Sequence, residues 1–143
     1  MKADAKTEAE VMDTINKFNE AYVSKDLDGA LKFLAPDPDG VFIGTGLDEK
    51  RLGLEEVKRQ LKRDFAQSDD LSWDSGWHSV SAAGKVAWVA GDLTLHAKIG
   101  GRKITLPMRS TTVLEKRKGK WLVVQLHNSM PYPEQKARQS FPR

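Results

Sequence analysis

Residues 86–129 read VAWVAGDLTLHAKIGGRKITLPMRSTTVLEKRKGKWLVVQLHNS. From Val86 to Ile99, Val86, Trp88, Ala90, Asp92 and Thr94 fall on one parity and Val89, Leu93 and Leu95 on the other. Successive side chains of a strand point to opposite faces, so this period of two predicts a strand with apolar residues on both sides. Gly100-Gly101 provides the backbone freedom that a two-residue hairpin needs. A further strand is expected from about Lys103 to Glu115, and Lys118-Gly119 turns the chain again. The last strand runs from Trp121 to about Ser129, where Pro131 and Pro133 follow. Upstream, Leu71, Trp73 and Trp77 start the same alternation, with Gly76 as a candidate bulge and Ala83-Gly84-Lys85 as the turn. Four long antiparallel strands thus succeed one another as a meander.

Residues before Ser68 have the other period. Thr7 and Glu10 have the spacing of a capping box, and Val11, Ile15, Phe18 and Tyr22 follow at helical spacing. Asp26 is placed to cap a short second helix that buries Leu27, Leu31 and Leu34 and stops at Pro36. After the turn Asp37-Pro38-Asp39-Gly40, Val41-Phe42-Ile43 reads as a short strand. The loop from Gly44 to Arg51 precedes a third helix with Leu54, Val57, Leu61 and Phe65 on one face. Asp48, Glu49 and Arg51 read as a solvated loop at the mouth of the fold. Helices segregated from strands indicate an α+β fold, a strongly curved antiparallel sheet wrapped around N-terminal helices. Its other face, which is also partly apolar, is expected to meet a second copy of the chain, giving a homodimer.

The 143 residues, 39% hydrophobic and 30% charged, suit one domain, expected over residues 1–132, with residues 133–143 as a mobile tail. A chain of this size buries roughly two-thirds of its unfolded surface, enough for a core without crosslinks. There is no cysteine, which excludes disulfides and thiol chemistry. The net charge of +3, with both signs interspersed, gives no basic stripe for nucleic acid, and Lys116-Arg117-Lys118 reads as a solvated turn. No apolar run is long enough for a membrane span. The opening MKADAKTEAE is too polar for a secretory signal, and a cytoplasmic location is expected.

The chemistry-bearing residues of the strands are few. Arg109 and His127 are equidistant from Lys118, so a regular hairpin places them opposite one another. Such a pair could hold a carboxylate; equally, Arg109 could pair with Asp92 as a structural ion pair. Asp92, in an apolar strand, is a candidate general acid or base or simply that partner. His78, His96 and His127 lie on three strands with no metal-ligand spacing, so no metal is expected. Trp88 could stack on a flat ligand or serve the core. GTGLDEKRLG is neither a dinucleotide fingerprint nor a P-loop, and no nucleophile elbow is present; no cofactor is expected.

Three stretches together resemble a known family: the Asp-rich turn into VFIGTGLDEKRLG, the strand AWVAGDLTL, and the closing pair LPMRSTTVLEKRKGKW and VVQLHNSMP. Over roughly residues 7 to 131 the chain resembles SnoaL-like domains of the nuclear transport factor 2-like superfamily, relatives of ketosteroid isomerase and of the calcium/calmodulin-dependent kinase II association domain. The resemblance implies a cone-like, cystatin-like α+β roll with a partly polar pocket for a small organic ligand, an acidic one among the candidates. Arg109, His127, Trp88, Asp92, Tyr22 and Ser129 are the candidate ligand contacts of such a pocket, and Asp92 and His127 the candidate catalytic groups. Two activities are compatible with it: proton transfer in an isomerase, dehydratase or cyclase, or non-catalytic binding or oligomerisation.

Overall fold

The computed structural model describes residues 1–143. Three helices come first, α1 (Ala5–Val23), α2 (Leu27–Leu31) and α3 (Gly53–Ala66), with two short strands, β1 (Val41–Ile43) and β2 (Lys50–Leu52), before α3. Four long strands follow: β3 (Asp70–Ala83), β4 (Val86–Ile99), β5 (Arg102–Arg117) and β6 (Lys120–Ser129). They form one sheet in the order β2-β1-β6-β5-β4-β3, in which only the β1–β6 pair is parallel. This is the expected α+β arrangement, with β2 in addition. Lys50-Arg51-Leu52 carries no apolar alternation; it is a strand because β1 supplies a backbone partner, Ile43 opposite Lys50 and Val41 opposite Leu52.

The N-cap of α1 is Asp4, whose carboxylate accepts from the Thr7 amide at 2.7 Å. Thr7 therefore lies inside the helix, and the expected Thr7–Glu10 capping box is replaced by this contact. Glu10 is used in packing instead: its Oε2 accepts from Lys116 Nζ at 3.0 Å and from Trp121 Nε1 at 3.1 Å. The basic run is likewise part of the fold, since Arg117 also pairs with Asp37 at 2.7 Å and Glu115 at 3.1 Å. Asp26 caps α2 as the sequence indicates, accepting from the Gly29 amide at 2.9 Å. Gly53 opens α3 at φ +76°, and a Cβ there would lie 3.0 Å from the Pro38 carbonyl oxygen, so both conformation and space require glycine.

The core lies between α1, α3 and the concave face of the sheet, around Val11, Val57, Leu61, Val89, Leu114 and Val123. Lys25 ties the ends of α1 and α3 together: its Nζ donates to the Phe65 carbonyl at 3.1 Å and to that of Ser68. No helix is long and apolar enough to cross a membrane.

Two irregularities decide which side chains face inward. The β3–β4 register shifts between Ser75 and His78, so Gly76 and Trp77 bulge opposite Asp92. The β5–β6 register shifts between Val113 and Leu114: Leu114 pairs with Val123 and Val113 with Gln125, leaving Val124 as the extra residue. At the same point β6 changes neighbours. Val123 exchanges backbone bonds with Phe33 and Ala35, at 2.8 and 2.9 Å, whereas Gln125 onward pairs with β1.

Residues after Pro133 make only local hydrogen bonds within Tyr132–Gln139, and Phe141 is 78% exposed. Deleting Glu134–Arg143 is expected to move the melting temperature by no more than about 4 °C, the shift that goes with roughly 1 kcal/mol in a domain of this size. A larger loss in a calorimetric scan would show that the tail docks.

Candidate functional site

A cavity of about 400 Å3 opens between α1, α3 and the concave sheet face, within the range of small-molecule sites. Of its 39 lining residues 21 are hydrophobic, so its walls suit a mostly apolar guest. The sheet supplies Leu93 and Leu95 from β4 and Leu106 and Met108 from β5, each set on one parity; α1 adds Ile15, Phe18 and Tyr22.

One part of the wall is polar. Tyr22 of α1 donates its hydroxyl to Asp64 Oδ2 of α3 at 2.8 Å. Gln60, one turn before Asp64, donates Nε2 to Asp64 Oδ1 at 2.7 Å and to Glu49 Oε1 at 3.2 Å. Its own oxygen accepts from Arg51 Nε at 3.0 Å, which fixes the amide orientation. Arg63 closes the outer end of the network on Asp48, at 2.7 Å, and on Glu49, at 3.4 Å. Asp64 therefore meets two neutral donors and no direct cation. Burial pushes its carboxyl above the ordinary carboxylate value of 3.8, against the lowering effect of the Tyr22 and Gln60 hydrogen bonds. Tyr22 is held well above the usual phenol range, by burial first and by the Asp64 charge second, so it remains a protonated donor. Its ring packs edge-on against Phe65, with centroids 5.4 Å apart.

The strand residues singled out in the sequence are distributed differently. Tyr22 lines the cavity. Asp92 borders it opposite the β3 bulge, although it is exposed. Arg109 and His127 are not opposite each other: Arg109 pairs in register with Ser129 and with Asp92, and His127 pairs with Thr111. The turn is centred between Lys118 and Gly119, which moves the partner of Arg109 one residue along β6, and the extra residue Val124 moves it one more and reverses the parity of everything after it. Trp121 and Val123 are buried, then Leu126 and Asn128 face the cavity, while His127 is exposed and neither it nor Ser129 lines the cavity. Arg109, also exposed, and Trp88 likewise fall outside the lining. Arg109 stands across from Asp92 without forming an ion pair. Asp64, Gln60, Glu49 and Arg51 were not foreseen as a site. A signal for the first existed: Asp64 continues the buried stripe Val57–Leu61 at a spacing of three, so a carboxylate sits on the apolar face of α3.

The whole architecture recurs in solved structures. A protein from Xanthomonas campestris, provisionally named a calcium/calmodulin-dependent protein kinase II association domain, is 26% identical, with a TM-score of 0.75 over 94% of this chain and 91% of that one. A provisionally named dehydratase of the nuclear transport factor 2-like family from Streptomyces avermitilis is 17% identical, with a TM-score of 0.82 over 90% and 98%. A provisionally named aromatic ring hydroxylase from Novosphingobium aromaticivorans is 15% identical, with a TM-score of 0.83 over 92% and 94%. At the identities of the last two, the likeness establishes the fold alone. No curated protein matches the sequence significantly. The profile of the SnoaL-like domain matches residues 11–133, which hold most of α1, every later element and the cavity they enclose, and the chain belongs to that family.

Proposed function

We propose that the chain binds a small, mostly apolar organic molecule in the cavity and moves a proton on it through Asp64, chemistry of the isomerase, dehydratase or cyclase kind. The observation that carries this reading is the Asp64 carboxyl at the cavity wall, raised by burial and touched only by the Tyr22 hydroxyl and the Gln60 amide. A raised carboxylate is a stronger base than a solvated one, and a phenol kept protonated is an available donor. Asp64 takes the proton from a carbon beside a carbonyl, and the electron pair of that C–H bond moves into the carbonyl as an enolate. Once Asp64 is protonated it accepts less strongly from Tyr22, whose hydroxyl turns to the enolate oxygen. Return of the proton to another carbon isomerises the molecule; loss of a β-hydroxyl as water dehydrates it.

The test is exchange of the α-protons of 2-tetralone in D2O, followed by NMR. Exchange catalysed by the wild type and lost in Asp64→Asn supports the reading. A second reading, a non-catalytic binding module, draws on the fact that both Asp64 oxygens already accept hydrogen bonds. Saturable binding of 2-tetralone without exchange is its signature.

The assembly we propose is a homodimer through the outer sheet face, where Trp88, Val113 and Leu122 are only half-buried in the single chain and Trp77 is 63% exposed. Sedimentation at micromolar concentration is expected to give a particle of twice the 16.0 kDa chain mass, and a particle of one chain mass would rule the dimer out.

A further inference from the structure

The concave face carries a polar row that the Asp64 chemistry does not use. Asn128 of β6 pairs in register with Ser110 of β5, Ser110 with Gly91 of β4, and Gly91 with His78 of β3. All four residues line the cavity. The flanking pairs are Leu93–Met108 on one side and Val89–Thr112 on the other. Polar groups therefore cross an otherwise largely apolar surface in one line. At its centre Gly91 presents no side chain, and the β3 bulge packs closely there: a Cβ would lie 3.2 Å from the Trp77 carbonyl oxygen and 3.4 Å from His78 Cβ.

Within this row Asn128 Oδ1 is out of reach of solvent and has no hydrogen-bond partner. Neither Asn128 nor Ser110 is engaged by any side-chain hydrogen bond of the fold. An unpaired polar atom in the interior is costly and is kept where something else satisfies it. A half-turn about the last side-chain torsion exchanges Oδ1 and Nδ2, so the amide can meet a donor or an acceptor. Asn128 also sits one residue beyond the last β1–β6 pair, Ile43–His127, at the level of Gly44. A Cβ on Gly44 would fall 2.2 Å from Glu49 Oε2, so the row ends beside the network that holds Gln60 and Asp64.

The charge of the lining narrows the guest. Glu49, Asp64 and Asp92 face only Arg51 and His78, and Arg51 is already bonded to Gln60. An anion gains no free cation there, and the mostly apolar walls make a charge of either sign costly to bury, so the guest is uncharged. We propose that Asn128 and Ser110 form a second hydrogen-bonding subsite, which takes a hydroxyl or carbonyl oxygen of a neutral, largely apolar ligand whose other oxygen meets Tyr22 and Asp64. The proposal rests on the cavity reading above and adds the ligand class to it.

The test is a titration of the full chain with naphthalene, 2-naphthol and 2,6-dihydroxynaphthalene, read by tryptophan fluorescence, since Trp73 lines the cavity. The diol is expected to bind wild type about tenfold more tightly than 2-naphthol, the value of one good hydrogen bond. Asn128→Leu and, independently, Ser110→Ala are expected to reduce that preference several-fold while leaving 2-naphthol affinity nearly unchanged. If Asn128→Leu does not fold, Ser110→Ala decides alone. A diol preference that survives substitution, or 2-naphthol binding with no diol preference at all, overturns the subsite while the cavity reading stands. No binding of any of the three to wild type overturns both.

Discussion

Asp64→Asn is expected to slow α-proton exchange of 2-tetralone by about 100-fold or more, the usual contribution of a positioned base, without weakening the fold. The second half of that expectation follows from the direction of the Asp64 shift. Burial raises its folded pKa above the ordinary 3.8. Between 3.8 and that raised value the unfolded chain has released the proton and the folded chain has kept it. Stability therefore falls as pH rises through the window, and above it the deficit is constant. Asparagine has no such deficit. The variant should melt at or above the wild-type temperature near neutral pH, with the difference vanishing below about pH 4, where both states of Asp64 are protonated. A thermal series from about pH 3 to 8 on both proteins reads this directly. The exchange rate of wild type should rise through the same raised midpoint, because the base must be ionised. Tyr22→Phe removes a hydrogen bond that lowers the Asp64 pKa, so it should move that midpoint further up. An asparagine variant that melts several degrees lower at neutral pH would instead make Asp64 an anchor of the Tyr22–Gln60 network, and the catalytic role would fall.

How far the sequence leads depends on whether a feature is local. The period-two pattern, the hairpin at Gly100-Gly101 and the stripe of α1 depend on neighbours in the chain, and all are realised. Glu49 and Arg51 read as loop residues because their meaning is non-local. Arg51 belongs to a strand only through β1, and both belong to a site only through Gln60, nine and eleven residues on. Glu10 is a similar case, since the partners that draw it away from the helix cap lie more than a hundred residues later. Asp64 differs from these. Its place on the stripe Val57–Leu61–Asp64 was readable, and a carboxylate on a buried helix face is a functional-site signal in its own right. Placing the chemistry on Arg109 and His127 rested on unbroken strand alternation. Even there the apolar positions Trp121, Val123 and Leu126, spaced by two and then three, mark where the alternation breaks.

Deleting Val124 is the sharpest test of that break. The bulge lets Trp121 and Val123 sit in the core while Leu126 and Asn128 also face the cavity. Without the extra residue Gln125 follows Val123 directly and points outward, so strict alternation places Trp121, Val123, Leu126 and Asn128 on one face. The ladder closes as well, because Leu114 already pairs with Val123 and Val113 with Gln125. The deletion is therefore expected to fold. Its loss is the burial of one half-buried valine, about 1–2 kcal/mol, and a melting temperature lower by no more than about 8 °C. Val124→Ala keeps the residue count and trims the same side chain, so it should lose somewhat less. Circular-dichroism melts of the two variants separate the effect of count from that of side chain. A deletion variant that is unfolded, or melts more than about 10 °C below Val124→Ala, would show that the bulge itself is required. Its bend, at the point where β6 leaves Phe33 and Ala35 for β1, would then hold the sheet together.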